Sequence, residues 1–96
     1  MTVVHHPRVA WEGARAFVNA ADDNVYWWLS DIVGRSLGAT HQTRLSMTRL
    51  RLQREDAWLA ETAAWRVRLE DMLQARPDLA PVLLQLVAET TRRLSR

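Results

Sequence analysis

From Thr40 to Ala75 the chain contains neither glycine nor proline, and that uninterrupted stretch limits the fold more than any other feature. Strand signals are nearly absent, while apolar residues recur at the 3.6-residue spacing of a helix through most of the chain. Thr40 suits a helix N-cap, so the stretch predicts one long helix over about 40–75. Its apolar face changes halfway along. Leu45, Leu52 and Leu59 repeat every seven residues, then Trp58, Trp65 and Met72 do so on a face about 100° round the helix. The polar run Gln53-Arg54-Glu55-Asp56 sits at the changeover, where a kink is expected; a full break there would make two helices of one.

Three further helices flank this one. Pro7 fits a first helical position, where a missing N–H costs nothing, and Ala10, Trp11, Ala14, Phe17, Val18 and Ala21 then share a stripe. Asp22-Asp23-Asn24 interrupts that stripe and offers carboxylates to the next N-terminus. Val25, Trp28, Leu29, Ile32, Val33 and Ser36 line one face of the second helix, with Trp27 pointing away, and Gly38 suits a left-handed C-terminal cap. Arg76-Pro77-Asp78 opens the last helix, whose stripe is Leu79, Val82, Leu83, Leu86, Val87, Thr90 and Leu94, with Arg92, Arg93 and Arg96 at its negative end. The expected fold is all-α: a bundle of four helices, about 7–21, 23–37, 40–75 and 78–94, in a single domain over 1–96.

Composition narrows the chemistry. With 48% hydrophobic and 25% charged residues in 96, the chain resembles an ordinary globular domain. The absence of cysteine excludes disulfide frameworks, thiolate metal sites and thiol nucleophiles. The histidines are His5, His6 and His41, none with an acidic residue at ligand spacing, so no metal and no cofactor is expected. Glu55-Asp56 and Glu70-Asp71 would stand about 22 Å apart on a continuous helix, too far to share a mechanism. No catalytic residue is assigned, and the expectation is that the protein is not an enzyme. No secretory or membrane-spanning stretch is read in the sequence, which predicts a cytoplasmic protein that does not enter membranes.

Charge is unevenly spread. All thirteen basic side chains are arginine, the usage of a GC-rich bacterial genome, and arginine makes bidentate and stacked contacts that lysine does not. The net charge is only +2, yet residues 31–54 hold Arg35, Arg44, Arg49, Arg51 and Arg54 against Asp31 alone. Basic residues early in a helix that follows a glycine turn are one footprint of a DNA-reading helix. In that same region, Val33-Gly34-Arg35-Ser36-Leu37-Gly38-Ala39-Thr40-His41-Gln42 resembles the turn of bacterial helix-turn-helix regulators. Gly34 and Gly38 match the family's small positions and Val33 and Leu37 its core positions; Arg44 departs from it by standing where an apolar residue is usual. The resemblance implies that Thr40, His41, Gln42, Arg44 and Arg49 face a duplex. Residues 37–41 are also similar to the turn inside a tetratricopeptide-type repeat, although only one copy is present.

Five tryptophans in so short a chain point elsewhere. Tryptophan and arginine are the residues most enriched at interface hot spots, and Trp27, Trp58 and Trp65 lie off the leucine stripes. The leading expectation is a non-catalytic protein-interaction or assembly module, self-associating through the long third helix, with Trp27, Trp58 and Trp65 as anchors and Arg51 and Arg54 at the rim. The alternative is the DNA-binding regulator just described.

Overall fold

The structure is a computed structural model and describes residues 6–95; His5 and Arg96 lie outside them. Five α-helices follow one another, with no strand among the described residues. They are α1 (His6–Ala21), α2 (Val25–Ser36), α3 (Ala39–Arg54), α4 (Trp58–Ala75) and α5 (Ala80–Leu94), the last entered through a 3-10 turn at Pro77–Leu79.

The long third helix expected over 40–75 is thus two helices, and the bundle has five members rather than four. Glu55 is extended, with φ −153° and ψ 166°, and Ala57 leaves helical geometry as well. No glycine or proline makes this break; packing does. A continuous helix over those residues would run about 54 Å, longer than the 43 Å long axis of the molecule. It would also carry its two apolar faces in different directions. Broken at 55–57, the chain folds back so that α3 and α4 both pack against α1. Leu59 shows the consequence: Leu45 is buried and Leu52 partly buried, but Leu59, on the far side of the break, is 73% exposed. Trp65 and Met72 instead join the core from α4.

Helix α1 is the hub and touches all four other α-helices. It is buried on nearly every side, at Val9, Ala10, Gly13, Ala14, Ala16, Phe17, Val18, Ala20 and Ala21. Small residues let its neighbours approach closely. A Cβ on Gly13 would sit 2.9 Å from Leu69 Cδ1 and 3.4 Å from Leu83 Cδ1. Trp11, expected on the inner stripe, is instead exposed, because the space around α1 is shaped for alanine. Gly13→Val is therefore expected to destabilise the fold by about 1–3 kcal/mol through overpacking. Gly13→Ala should nearly balance that clash against better helix propensity. Thermal melts followed by circular dichroism separate the two, and a valine variant melting with the wild type would show that α4 and α5 do not press on α1 here.

The turns follow local chemistry. The Asp23 carboxylate accepts the Val25 N–H at 3.0 Å, supporting the start of α2. At its end, the Leu37 and Gly38 N–H groups both donate to the Val33 carbonyl, and Gly38 has φ +106°, a conformation that side-chain-bearing residues avoid. Helix α3 starts at Ala39 with Gly38 as its N-cap, so Thr40 lies inside the first turn rather than capping it. Helix α2 buries Tyr26, Leu29 and Val33, leaving Trp28 and Ile32 partly exposed.

Candidate interaction surface on α3

Helix α3 is held by a narrow stripe, with only Leu45 and Thr48 buried. Opposite that stripe, Met47, Leu50, Arg51 and Arg54 fall at i, i+3, i+4 and i+7 and share one outward face. Met47 is 61% exposed and Leu50 53%. These residues, with Glu55, line a shallow cavity of about 350 Å³. Between Ala39 and Arg54 the helix holds Arg44, Arg49, Arg51 and Arg54 and no acidic residue. An apolar centre with an arginine frame is the result.

A buried polar chain joins this helix to α4. The Trp65 indole Nε1–H donates to Thr48 Oγ1 at 2.8 Å, and the Thr48 hydroxyl donates to Glu61 Oε1 at 2.6 Å. Arg51 Nη1 then donates to Glu61 Oε2 at 3.2 Å from the solvent side. Trp65, Thr48 and Glu61 are all buried, and each polar group takes its partner from the protein. Beside this chain, Arg44, Met47, Arg51, Glu61 and Arg68 line a cavity of about 100 Å³. The Arg68 guanidinium lies 5.3 Å from the centre of the Trp65 ring. A larger cavity, about 630 Å³, lies elsewhere, along the seam of α2 and α5 between Trp28, Ile32, Val82 and Leu86.

The sequence-derived site residues do not assemble on one surface. Trp65 is fully buried, with its ring edge-on to Phe17 at 5.4 Å, and it is a core residue rather than an interface anchor. Trp58 is partly buried and donates its indole N–H to Asn19 Oδ1 at 2.8 Å. Trp27 is 66% exposed but belongs to a separate cluster, edge-on to Tyr26 and 5.3 Å from the Arg49 guanidinium. Arg51 and Arg54 do share the outer face of α3.

The five residues that the helix-turn-helix resemblance singles out divide in the same way. Thr40 and Arg44 are exposed. His41 is partly buried with its ring 6.2 Å from that of Trp65, and burial, then the charge of Arg44, hold its imidazole below the usual pKa. Gln42 donates to the Ser30 carbonyl at 3.0 Å and packs where a Cβ on Gly34 would stand 2.7 Å away, so Gly34 makes room for it. Arg49 donates to the carbonyls of Ala21 and Asp23 at 2.9 and 3.0 Å and stacks 4.7 Å from the Tyr26 ring. Gln42 and Arg49 thus bind the protein's own backbone. In outline, α2, the Gly38 turn and α3 do form a helix, a tight turn and a helix.

Sequence reasoning missed Met47 and Leu50, whose signal was a second amphipathic stripe on α3 behind the leucine repeat. It also missed Glu61, a carboxylate placed one turn from both Trp58 and Trp65 on an apolar face. Among the described residues no group of three or more His, Asp or Glu side chains is gathered for a metal ion, and no helix is long and apolar enough to cross a membrane. Comparison with known protein families, with characterised proteins and with solved structures finds no match to this chain.

Proposed function

We propose that this chain is a non-catalytic binding module that docks a partner protein on the outer face of α3. The observation that carries this reading is the exposure of Met47 and Leu50 on a helix whose only charged residues are arginines. Apolar side chains framed by arginine are the make-up of an interface centre and rim. An amphipathic helix with apolar residues at i, i+3 or i+4 and i+7, flanked by Asp or Glu, would cover the apolar pair and meet Arg44, Arg51 and Arg54 with opposite charge. Pairing with a second copy through this face would set arginine against arginine, so charge favours a different, acidic partner over self-association. A DNA duplex is less well matched, since Gln42 and Arg49 are bonded to backbone carbonyls and the exposed Met47 and Leu50 find no apolar counterpart along a phosphate backbone.

The test is fluorescence anisotropy with a labelled acidic, leucine-faced amphipathic peptide. Saturable binding is expected, weakened by at least about tenfold in Leu50→Glu and unchanged in Leu84→Glu on α5. A peptide bound equally by both variants would remove the face from consideration. Two parallel measurements guard against the rival readings. Light scattering should show a monomer, and a dimer dispersed by Leu50→Glu would reassign the face to self-association. A random duplex titrated at about 50 and 200 mM salt should bind weakly, and tight binding that falls steeply with salt would reassign it to nucleic acid.

A further inference from the structure

The outer face of α3 ends, toward α4, in a small basic cavity that a helix-docking role does not require. Arg44 and Arg51 stand two turns apart on α3, and they line this cavity together with Met47 of α3 and Glu61 and Arg68 of α4. Three guanidiniums against one carboxylate leave an excess of two positive charges. Arg51 gives one N–H to Glu61, and the exposed Arg44 side chain makes no hydrogen bond among the described residues. Arg68 Nη1 is enclosed and has no hydrogen-bond partner among the described residues. An enclosed guanidinium N–H without an acceptor is costly, and like charges gathered around it add to that cost.

We propose that Arg44, Arg51 and Arg68 form a binding site for a phosphomonoester dianion. Two negative charges match the local excess, whereas a single carboxylate would leave one positive charge uncompensated. Tetrahedral oxygens accept from several guanidinium forks at once, and one of them would supply the missing acceptor for Arg68 Nη1. The cavity, about 100 Å³, has room for one small oxyanion and lies well below the roughly 300–1,000 Å³ of drug-sized ligand sites. Burial and the charge of Arg44 already lower the affinity of the Arg68 guanidinium for its own proton, Glu61 opposes this, and Arg51 adds to it. An anion in the cavity reverses that balance. The site shares Arg44 and Arg51 with the proposed docking face but stands without it, because Arg68 and the cavity do not depend on Met47 or Leu50 being covered.

The experiment is an NMR titration of the full chain with inorganic phosphate at neutral pH, read at the Arg Nε–Hε and Trp indole resonances against sodium chloride of matched ionic strength. Saturable shifts are expected at Arg68 and at the Trp65 indole. They should weaken roughly tenfold in Arg68→Gln and in Arg44→Gln, and stay unchanged in Arg66→Gln, an exposed arginine of α4 outside the cavity. Arg44 is exposed, so its variant keeps the test valid even if Arg68→Gln perturbs folding. Shifts matched by chloride, or undiminished in Arg44→Gln, would overturn the proposal. The source of the phosphate follows from a second arm. A phosphoserine version of the acidic peptide binding more tightly than its glutamate version places the group on a partner protein. Equal peptide affinities beside a saturable phosphate titration place it on a free small molecule. Leu50→Glu, which should weaken peptide docking at least about tenfold and spare the phosphate shifts, separates failure of this site from failure of the docking face.

Discussion

Replacing Thr48 with valine is expected to destabilise the fold by about 3 kcal/mol, lowering its melting temperature by roughly 10–20 °C. Valine keeps the volume of threonine, so no cavity opens. What it removes is the hydroxyl that accepts from Trp65 and donates to Glu61. Both partners then lose a buried hydrogen bond, the Trp65 indole N–H its acceptor and the Glu61 carboxylate every partner but Arg51. The cost of an unmet buried group exceeds the modest net gain of the bond when made, which is why a single atom matters this much. Thr48→Ser keeps the hydroxyl and should lose less than half as much. Circular dichroism melts of the two variants decide it. A valine variant that melts with the wild type would show that this chain of bonds does not hold α3 to α4.

Trp65→Ala is expected to cost about 3–5 kcal/mol, a large fraction of the roughly 5–15 kcal/mol that holds a domain together. Its ring fills the space between Phe17 and Thr48 with no exposed surface, and alanine leaves a cavity that the surrounding helices cannot fully close. Trp65→Phe should cost far less, because a phenyl ring still fills most of that space against Phe17. Denaturant unfolding measures both. An anchor at a partner surface behaves oppositely, with wild-type stability and lost binding. That outcome for Trp65→Ala would contradict the core described above.

The contrast between Trp65 and Met47 shows where reading the sequence stopped. Both lie in one helical stretch that period and punctuation predict over 40–75, which the structure divides into α3 and α4. Which face of each helix turns inward was not, because that depends on where the chain reverses. The reversal at 55–57 was marked only as a change of apolar face over Gln53 to Asp56. A kink and a break produce the same pattern, since no glycine or proline distinguishes them. Once the chain breaks there, Leu59 is turned to solvent, and the seven-residue leucine repeat contributes to the core only at Leu45 and Leu52. Gln42 and Arg49 carry the same lesson for function. Their types and spacing fit a DNA-reading helix, yet the carbonyls of Ser30, Ala21 and Asp23 lie within their reach, and internal bonds take up donors that a surface reading assigns to a ligand. The α3 face was half legible: Arg51 and Arg54 were singled out from charge alone, but not the apolar pair between them.

The amino-acid sequence by itself determined the all-α class, the Gly38 turn, the α1–α2 junction at Asp22 to Asn24 and the basic character of residues 31–54. Those properties are local: backbone conformational cost, capping and helical period act within a few residues and need no distant partner. The number of helices, the burial of Trp65 and Glu61, and the meeting of Arg44, Arg51 and Arg68 were decided by tertiary structure. They depend on α3 and α4 folding back onto α1, where burial energy summed over many side chains outweighs the few helical hydrogen bonds given up at Glu55 to Ala57.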